Sequence, residues 1–337
     1  MSAYYWQNKH KKSPITRKSL PKTINIVILR KSQPCKDAFM PTIANMLQQY
    51  AEHNQLLNFE GTMETIITGV YFHRASKSSP RQPLIYNSGI IVVGQGHKVI
   101  HFTDHKIQYG AGDYLVLGVP VPLECEAFTD GDLPVLGIAV DINPALLHKL
   151  VNQMTEHKQF ALPPTCGQMS GVQSAKLDNA MELVTKRLLT VLNNPLEAQV
   201  FGEDIVKELV YRVLCGPQGH TLFGLAMHDG HYARIARTLS TMHSSYANQI
   251  TVEGLAEDVN MSVSSFHRAF RQVTFESPLQ YLKKVRLAKA KELITTSGSK
   301  ANEAALKVGY TSPSQFSREF KRHFNKTPSE VLTQLHS

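Results

Sequence analysis

The sequence predicts an α+β fold: an N-terminal β-sandwich or small barrel with flanking helices, then an all-α region of two helix-turn-helix units joined by a linking helix. Three observations predict it. Short apolar runs broken by Gly, Pro and Asp fill residues 62–140. Apolar residues then recur at helical spacing from Leu177 to Val213, and one helical pattern is written twice in the C-terminal region. A chain of 337 residues with 42% hydrophobic content can build two packed domains.

The β texture rests on Ile66 to Tyr71, Gly89 to Gly94, Tyr114 to Leu117 and Val135 to Val140. Turn residues separate them at Gly94-Gln95-Gly96, Gly110-Ala111-Gly112-Asp113 and Asp130-Gly131-Asp132. Several short strands at near-regular spacing suit a sandwich or barrel. Leu177, Met181, Val184, Leu188 and Val191 then mark one helix and Ile205, Leu209 and Val213 the next, stopped by Gly216-Pro217. Their stripes suggest that helices over 176–193 and 199–215 mediate self-association into a homodimer.

Charge divides the chain. Residues 1–36 hold nine Lys and Arg and no acid, residues 37–225 hold 12 bases and 18 acids, and residues 226–337 hold 15 bases and 9 acids. A basic C-terminal part beside an acidic middle is the asymmetry expected when one domain meets a polyanion. The predicted organisation is a basic, flexible arm over 1–36, a regulatory and dimerisation domain over 37–219, a Gly-rich linker over 220–230 and a helical domain over 231–337. No apolar run approaches the roughly 18 residues of a membrane span. Ile24 to Leu29 is too short for a signal-peptide core, so a cytoplasmic location without a membrane partner is expected. Cys35, Cys125, Cys166 and Cys215 lie far apart with no C-x-x-C pair, which suits reduced thiols rather than a disulfide framework or a zinc ribbon.

The repeat carries the functional reading. At an offset of 50 residues, Ser262, Ser264, Phe266, Arg268, Phe270 and Arg271 align with Ser312, Ser314, Phe316, Arg318, Phe320 and Lys321. At 100° per residue, Val263, Ala269, Phe270 and Val273 fall within about 60° of Phe266 and form a buried face. Ser264, Arg268 and Arg271 point the other way, flanked by His267. In the second copy Ser314, Arg318 and Lys321 do the same, flanked by Ser317. Small polar residues beside long cations form a surface that can enter the major groove of double-stranded DNA. Val252 to Asp258 and Asn302 to Lys307 supply the preceding short helices, Asn260 and Gly309 the tight turns, and Ser262 and Ser312 the caps. Nineteen residues from Pro278 to Thr296 link the units over about 28 Å. Leu279, Leu282, Leu287, Ala290, Leu293 and Ile294 form the stripe of that linking helix, and Arg286 within it reads as a structural ion-pair residue.

These residues resemble the AraC/XylS family of transcription regulators. The resemblance is carried by Gly309-Tyr310-Thr311-Ser312-Pro313-Ser314-Gln315-Phe316-Ser317-Arg318-Glu319-Phe320-Lys321 and by Ser277 to Leu282 leading into Arg286-Leu287 and Ala290. More loosely, Gly94 to Lys98, Tyr109 to Leu117 and Tyr211 to Gly219 resemble the cupin-like N-terminal domain of one branch of that family. The resemblance implies a regulatory domain that binds a small-molecule effector and self-associates, and a DNA-binding domain. RNA polymerase is a further partner if the protein activates. The base-contact candidates carried over are Ser264, His267, Arg268, Arg271, Ser314, Ser317, Arg318 and Lys321. The chain departs from the family at Phe275, where Gly is usual, and at Asn260 and Asn325, which replace turn glycines.

Other constellations carry less. His97, His101 and His105 recur every fourth position, but in β or turn context they spread over about 26 Å, so neither a metal nor another cofactor is expected. Glu124 and Glu126 flank Cys125 without an acid–base partner. No P-loop, G-x-S-x-G or G-x-G-x-x-G occurs. The alternative class is a cupin-type metalloenzyme with a DNA-binding tail, but the H-x-H pattern of metal-binding cupins is absent. A DNA-alkylation sensor would need a reactive-cysteine motif, and none is present. The expected protein is not an enzyme.

Overall fold

The computed structural model describes residues 41–102, 105–157, 171–226 and 230–333. The arm expected over 1–36 lies outside the described residues, as do Cys35, Cys166 and positions 227–229 of the expected linker.

Among the described residues ten strands form two antiparallel sheets, and the predicted α+β fold is the one observed. The strands are β1 (Gly61–Glu64), β2 (Val70–Ala75), β3 (Ser79–Tyr86), β4 (Gly89–Gln95), β5 (His97–His101), β6 (Lys106–Gly110), β7 (Asp113–Leu117), β8 (Val121–Phe128), β9 (Val135–Asp141) and β10 (Val172–Lys176). One sheet runs β1-β2-β9-β4-β7-β10 and the other β3-β8-β5-β6. The run expected from Ile66 to Tyr71 is half turn: the strand starts only at Val70, because Thr65 and Ile67 close a bend in which Ile67 N–H bonds Thr65 Oγ1 at 3.2 Å.

Helices α1 (Ile43–His53), α2 (Pro144–Glu156), α3 (Asn179–Val191), α4 (Pro195–Cys215) and α5 (Gly219–Ala226) cover the six-stranded sheet. Strand β7 shows the layering: Tyr114 and Val116 face this helical core, while Leu115 and Leu117 face the space between the sheets. Burial on both sides explains its continuous apolar run. The stripes of Met181, Val184, Leu188 and Val191 and of Ile205, Leu209 and Val213 are all buried in the helical core. They are enclosed in that core and so are not free for the self-association expected of them.

The linker expected over 220–230 is also corrected. Residues 219–226 form helix α5, with Leu222, Phe223 and Ala226 buried in the helical core. Gly219 marks a tight junction rather than slack: an added Cβ would lie 2.0 Å from the Leu214 carbonyl oxygen.

The C-terminal region holds α6 (His231–Ser244), α7 (Val252–Asp258), α8 (Val263–Thr274), α9 (Pro278–Ser297), α10 (Ala301–Lys307), α11 (Pro313–Phe324) and α12 (Pro328–Thr333). Its two halves are buried differently. Residues of α6 to α9 up to Val285 share one apolar core with the inter-sheet face, whereas α10 to α12 and the end of α9 close a separate core around Phe316 and Phe320. Tyr281 seals the shared core. Its hydroxyl donates to the Pro120 carbonyl at 2.7 Å and lies 2.7 Å from Nε2 of His243.

Candidate nucleic-acid interface

Each recognition helix is fixed by its ends. Ser262 and Ser312 accept from the backbone N–H of Ser265 and Gln315, both at 3.3 Å, and Pro313 occupies the first helical turn of α11. The preceding turns pass through left-handed backbone at Asn260, φ 52°, and Gly309, φ 86°. At Gly309 the close approach is as binding as φ, since an added Cβ would lie 2.4 Å from the Ala247 carbonyl oxygen.

The C-terminal cap of α8 is Phe275 at φ 62°, ψ 10°, and that of α11 is Asn325 at φ 54°. A phenylalanine in this region is strained. Phe275 is held there by the regulatory domain: its ring packs at 4.4 Å on Phe102 and 5.5 Å on His105. The departure from glycine is thus also a contact between the two domains.

Inward, Phe266 and Phe270 pack at 5.6 Å and Phe316 and Phe320 at 5.4 Å, and all four are fully buried. Outward, Ser264, His267, Arg268 and Arg271 on α8 are exposed, as are Ser314, Arg318 and Lys321 on α11, with Ser317 half-buried. Arg268, Arg271 and Arg318 form no ion pair among the described residues, which leave their guanidinium groups uncommitted. Two residues assigned inward point out instead. Val263 opens α8 ahead of the core and is 39% exposed, and Leu279, in the first turn of α9, is 55% exposed.

Between the units, α9 runs for 20 residues, about 30 Å. Arg286 is structural, but its partners are carbonyls rather than an acid. Nε donates to Tyr246 O at 2.7 Å and Nη2 to Asn248 O at 2.8 Å, satisfying the connection after α6.

Sequence reasoning missed the brace beneath α11. Glu319, the one acid on that helix, turns toward α9. Tyr310 donates to it at 2.8 Å, Gln315 at 3.2 Å, and Lys283 pairs with it at 3.1 Å. Burial opposes its charge, yet these hydrogen bonds and the lysine outweigh burial and hold its carboxyl below the ordinary range. Gln280, Lys283, Thr311 and Gln315 line a cleft of about 620 Å³ between the units. The signal available in the sequence was Lys283 and Glu319, oppositely charged, in the second turn of α9 and midway along α11.

The histidines do not converge. His97 stacks on Phe128 at 4.8 Å, His101 bonds Glu126 at 2.8 Å and His105 stacks on Phe102 at 4.4 Å. Glu124 pairs with Arg81. Among the described residues no group of three or more His, Cys, Asp or Glu is placed to hold a metal ion, and no helix is long and apolar enough to cross a membrane.

Two helix-turn-helix units on a common helix, carried by a double-sheet domain, define a protein of the transcription-regulator class. Residues 66–221 match the AraC-type transcriptional regulator N-terminus, and residues 255–334 match a helix-turn-helix domain. The chain belongs to the AraC/XylS family of transcription regulators. It is 36% identical over 103 residues to the HTH-type transcriptional regulator AlkR of Acinetobacter baylyi, covering 31% of this chain and 34% of AlkR. It is 28% identical over 99 residues to the activator RhaS of Escherichia coli O139:H28, covering 29% of this chain and 36% of RhaS. The match thus spans about a third of the length of these relatives. Its fold is similar to that of ToxT from Vibrio cholerae, solved with an unsaturated fatty acid bound. There the TM-score is 0.53 at 13% identity, over 78% of this chain and 94% of ToxT.

Proposed function

We propose that the chain is a sequence-specific DNA-binding transcription regulator whose N-terminal domain responds to a small molecule. The observation that supports it most is the pair of matched recognition helices, α8 and α11, with uncommitted arginines on equivalent outward positions. The effector reading is supported by the β domain itself, which shares its inter-sheet core with the first helix-turn-helix unit, and by ToxT, a protein of the same fold that binds a fatty acid. As an activator the protein would also contact RNA polymerase. Sequence selection with the purified full chain should recover one DNA motif, and binding should weaken steeply as salt rises. Equal affinity for the selected motif and random DNA at physiological salt would reject the reading.

Self-association is the second part of the proposal. With the inward stripes of α3 and α4 occupied, the surface that suits a second copy is the outer face of α4. There Leu196, Val200 and Phe201 are 69%, 57% and 51% exposed. Sedimentation of the full chain should show a dimer, and replacing Leu196 and Val200 together by Glu should return it to monomer. A parent protein that stays monomeric at tens of micromolar overturns this.

A further inference from the structure

The brace beneath α11 also fixes a side chain that faces outward. On a helical wheel centred on Arg318, Ser314 and Lys321 lie about 40° and about 60° to one side, and Gln315 lies about 60° to the other. Gln315 therefore shares the outward face as fully as Lys321 does, and it is exposed. It precedes Arg318 by three residues, an axial step of about 4.5 Å against about 3.4 Å per base pair. The two side chains can reach neighbouring base pairs.

What sets Gln315 apart is that its amide is oriented. Its Nε2 donates to Glu319 Oε1 at 3.2 Å, one turn further along the helix. Glu319 is held in turn by the Tyr310 hydroxyl at 2.8 Å and by Lys283 at 3.1 Å. Burial works against its charge, but these hydrogen bonds and Lys283 outweigh burial and keep the carboxyl ionised at neutral pH. An ionised carboxylate only accepts, so it takes the amide nitrogen of Gln315 and not the amide oxygen. One N–H is spent there. The second N–H and Oε1 are left over, and Oε1 accepts no hydrogen bond among the described residues. The first unit has no counterpart. At the offset of 50 residues Gln315 corresponds to Ser265, which accepts from the cap Ser262 at 3.0 Å, and Glu319 corresponds to the buried Ala269.

We propose that Gln315 reads an adenine in the second box, beside the base pair met by Arg318, and that Glu319 positions it for that base. The inference rests on the reading of α11 as a recognition helix, and adds one base and the residue that selects it. In the major groove adenine presents N7 as acceptor and its N6 amino group as donor, which one N–H and the oxygen of a glutamine match together. Guanine presents two acceptors, O6 and N7, so the Gln315 oxygen would face an acceptor and one hydrogen bond would be lost. An amide free to turn about its terminal bond could offer its nitrogen to guanine instead. Glu319 removes that freedom, and so discriminates between purines without touching DNA.

The test is sequence selection and binding titration with the full chain, comparing the parent with Gln315→Ala, Glu319→Gln and Arg318→Ala. The parent should select an adenine next to the position that Arg318→Ala relaxes. Gln315→Ala should lose about tenfold in affinity for that motif and accept any base at the adenine position alone. Replacing this adenine by 7-deazaadenine, which lacks the N7 acceptor, should weaken the parent and leave Gln315→Ala unchanged. The amide of Glu319→Gln can donate or accept, so this variant should widen the preference from adenine to both purines and keep the rest of the motif. If Glu319→Gln instead weakens all sequences alike and keeps the adenine, Glu319 supports the helix and does not position Gln315, which overturns that part of the proposal. A selected motif without the adenine, or a parent indifferent to 7-deazaadenine, overturns the whole proposal and leaves the DNA-binding reading standing. Failure to select any motif rejects both.

Discussion

Replacing Phe316 by Ala is expected to destabilise the second helix-turn-helix unit by about 3–5 kcal/mol, the usual result of removing a buried ring. Phe316 is fully buried among Phe320, Tyr310, Ala304, Ala305 and Val308, in a buried cluster with no member from the sheets, which β3 meets only at its edge near Phe324 and Val331. With so few partners, the cavity cannot be filled by rearrangement of a larger interior. The loss should therefore be local. Hydrogen exchange should accelerate across α10, α11 and α12 while the two sheets and α6 to α8 keep their protection. Phe270→Ala, in the first unit at the position equivalent to Phe320, should behave differently, because Phe270 packs on Tyr281 at 5.5 Å in the core shared with the sheets. There the amides of β7 and β8 should lose protection as well. Identical exchange patterns for the two variants would show that the molecule unfolds as one unit and would overturn the division into two cores.

That division also marks where sequence reasoning stopped. Caps, turns and inward aromatics of both units were legible because they are local: Ser312 to Gln315, Asn260, Gly309 and the three- and four-residue spacing of Phe all lie within one turn or one helix. The two-sheet fold was legible as a class from its short apolar runs, but not its pairing. The placement of Lys98 opposite Tyr109 and against His73 joins strands far apart in the chain. The linker failed for a related reason. Gly224 and Gly230 read as slack, whereas Gly224 lies within α5 and Gly219, which opens that helix, sits where it must touch Leu214. The stripes of α3 and α4 were seen correctly as apolar, but a stripe carries no information on whether a sheet or a second chain covers it. Phe275 was visible only as a departure; its reason, contact with Phe102 and His105, is tertiary.

The largest expected effects on recognition come from Arg268 and Arg318. If both read DNA, the site should hold two short unequal boxes on one face, roughly ten base pairs apart. Inequality follows from the neighbours: His267 and Arg271 flank the first arginine, Ser317 and Lys321 the second. Replacing either arginine by Ala should weaken binding by about 1–3 kcal/mol and relax preference in one box only, as loss of a guanine contact would. Lys321→Ala should instead weaken all sequences alike and reduce the salt slope by about one, the mark of a phosphate contact. The sequence alone favours the clearer effect at Arg318, because Phe275 departs from the family at the end of α8. The structure supplies a physical basis for the same order. The unit bearing Arg318 rests on its own core, whereas α8 is capped by a strained residue clasped by Phe102 and His105. The Arg268 effect should therefore change when Phe275 is replaced by Gly, which relieves φ and frees that clasp, while the Arg318 effect should not. Binding titrations of the two arginine variants in both backgrounds, against DNA with either box scrambled, read this directly. If neither arginine substitution alters affinity or preference in a folded protein, the outward faces do not read DNA.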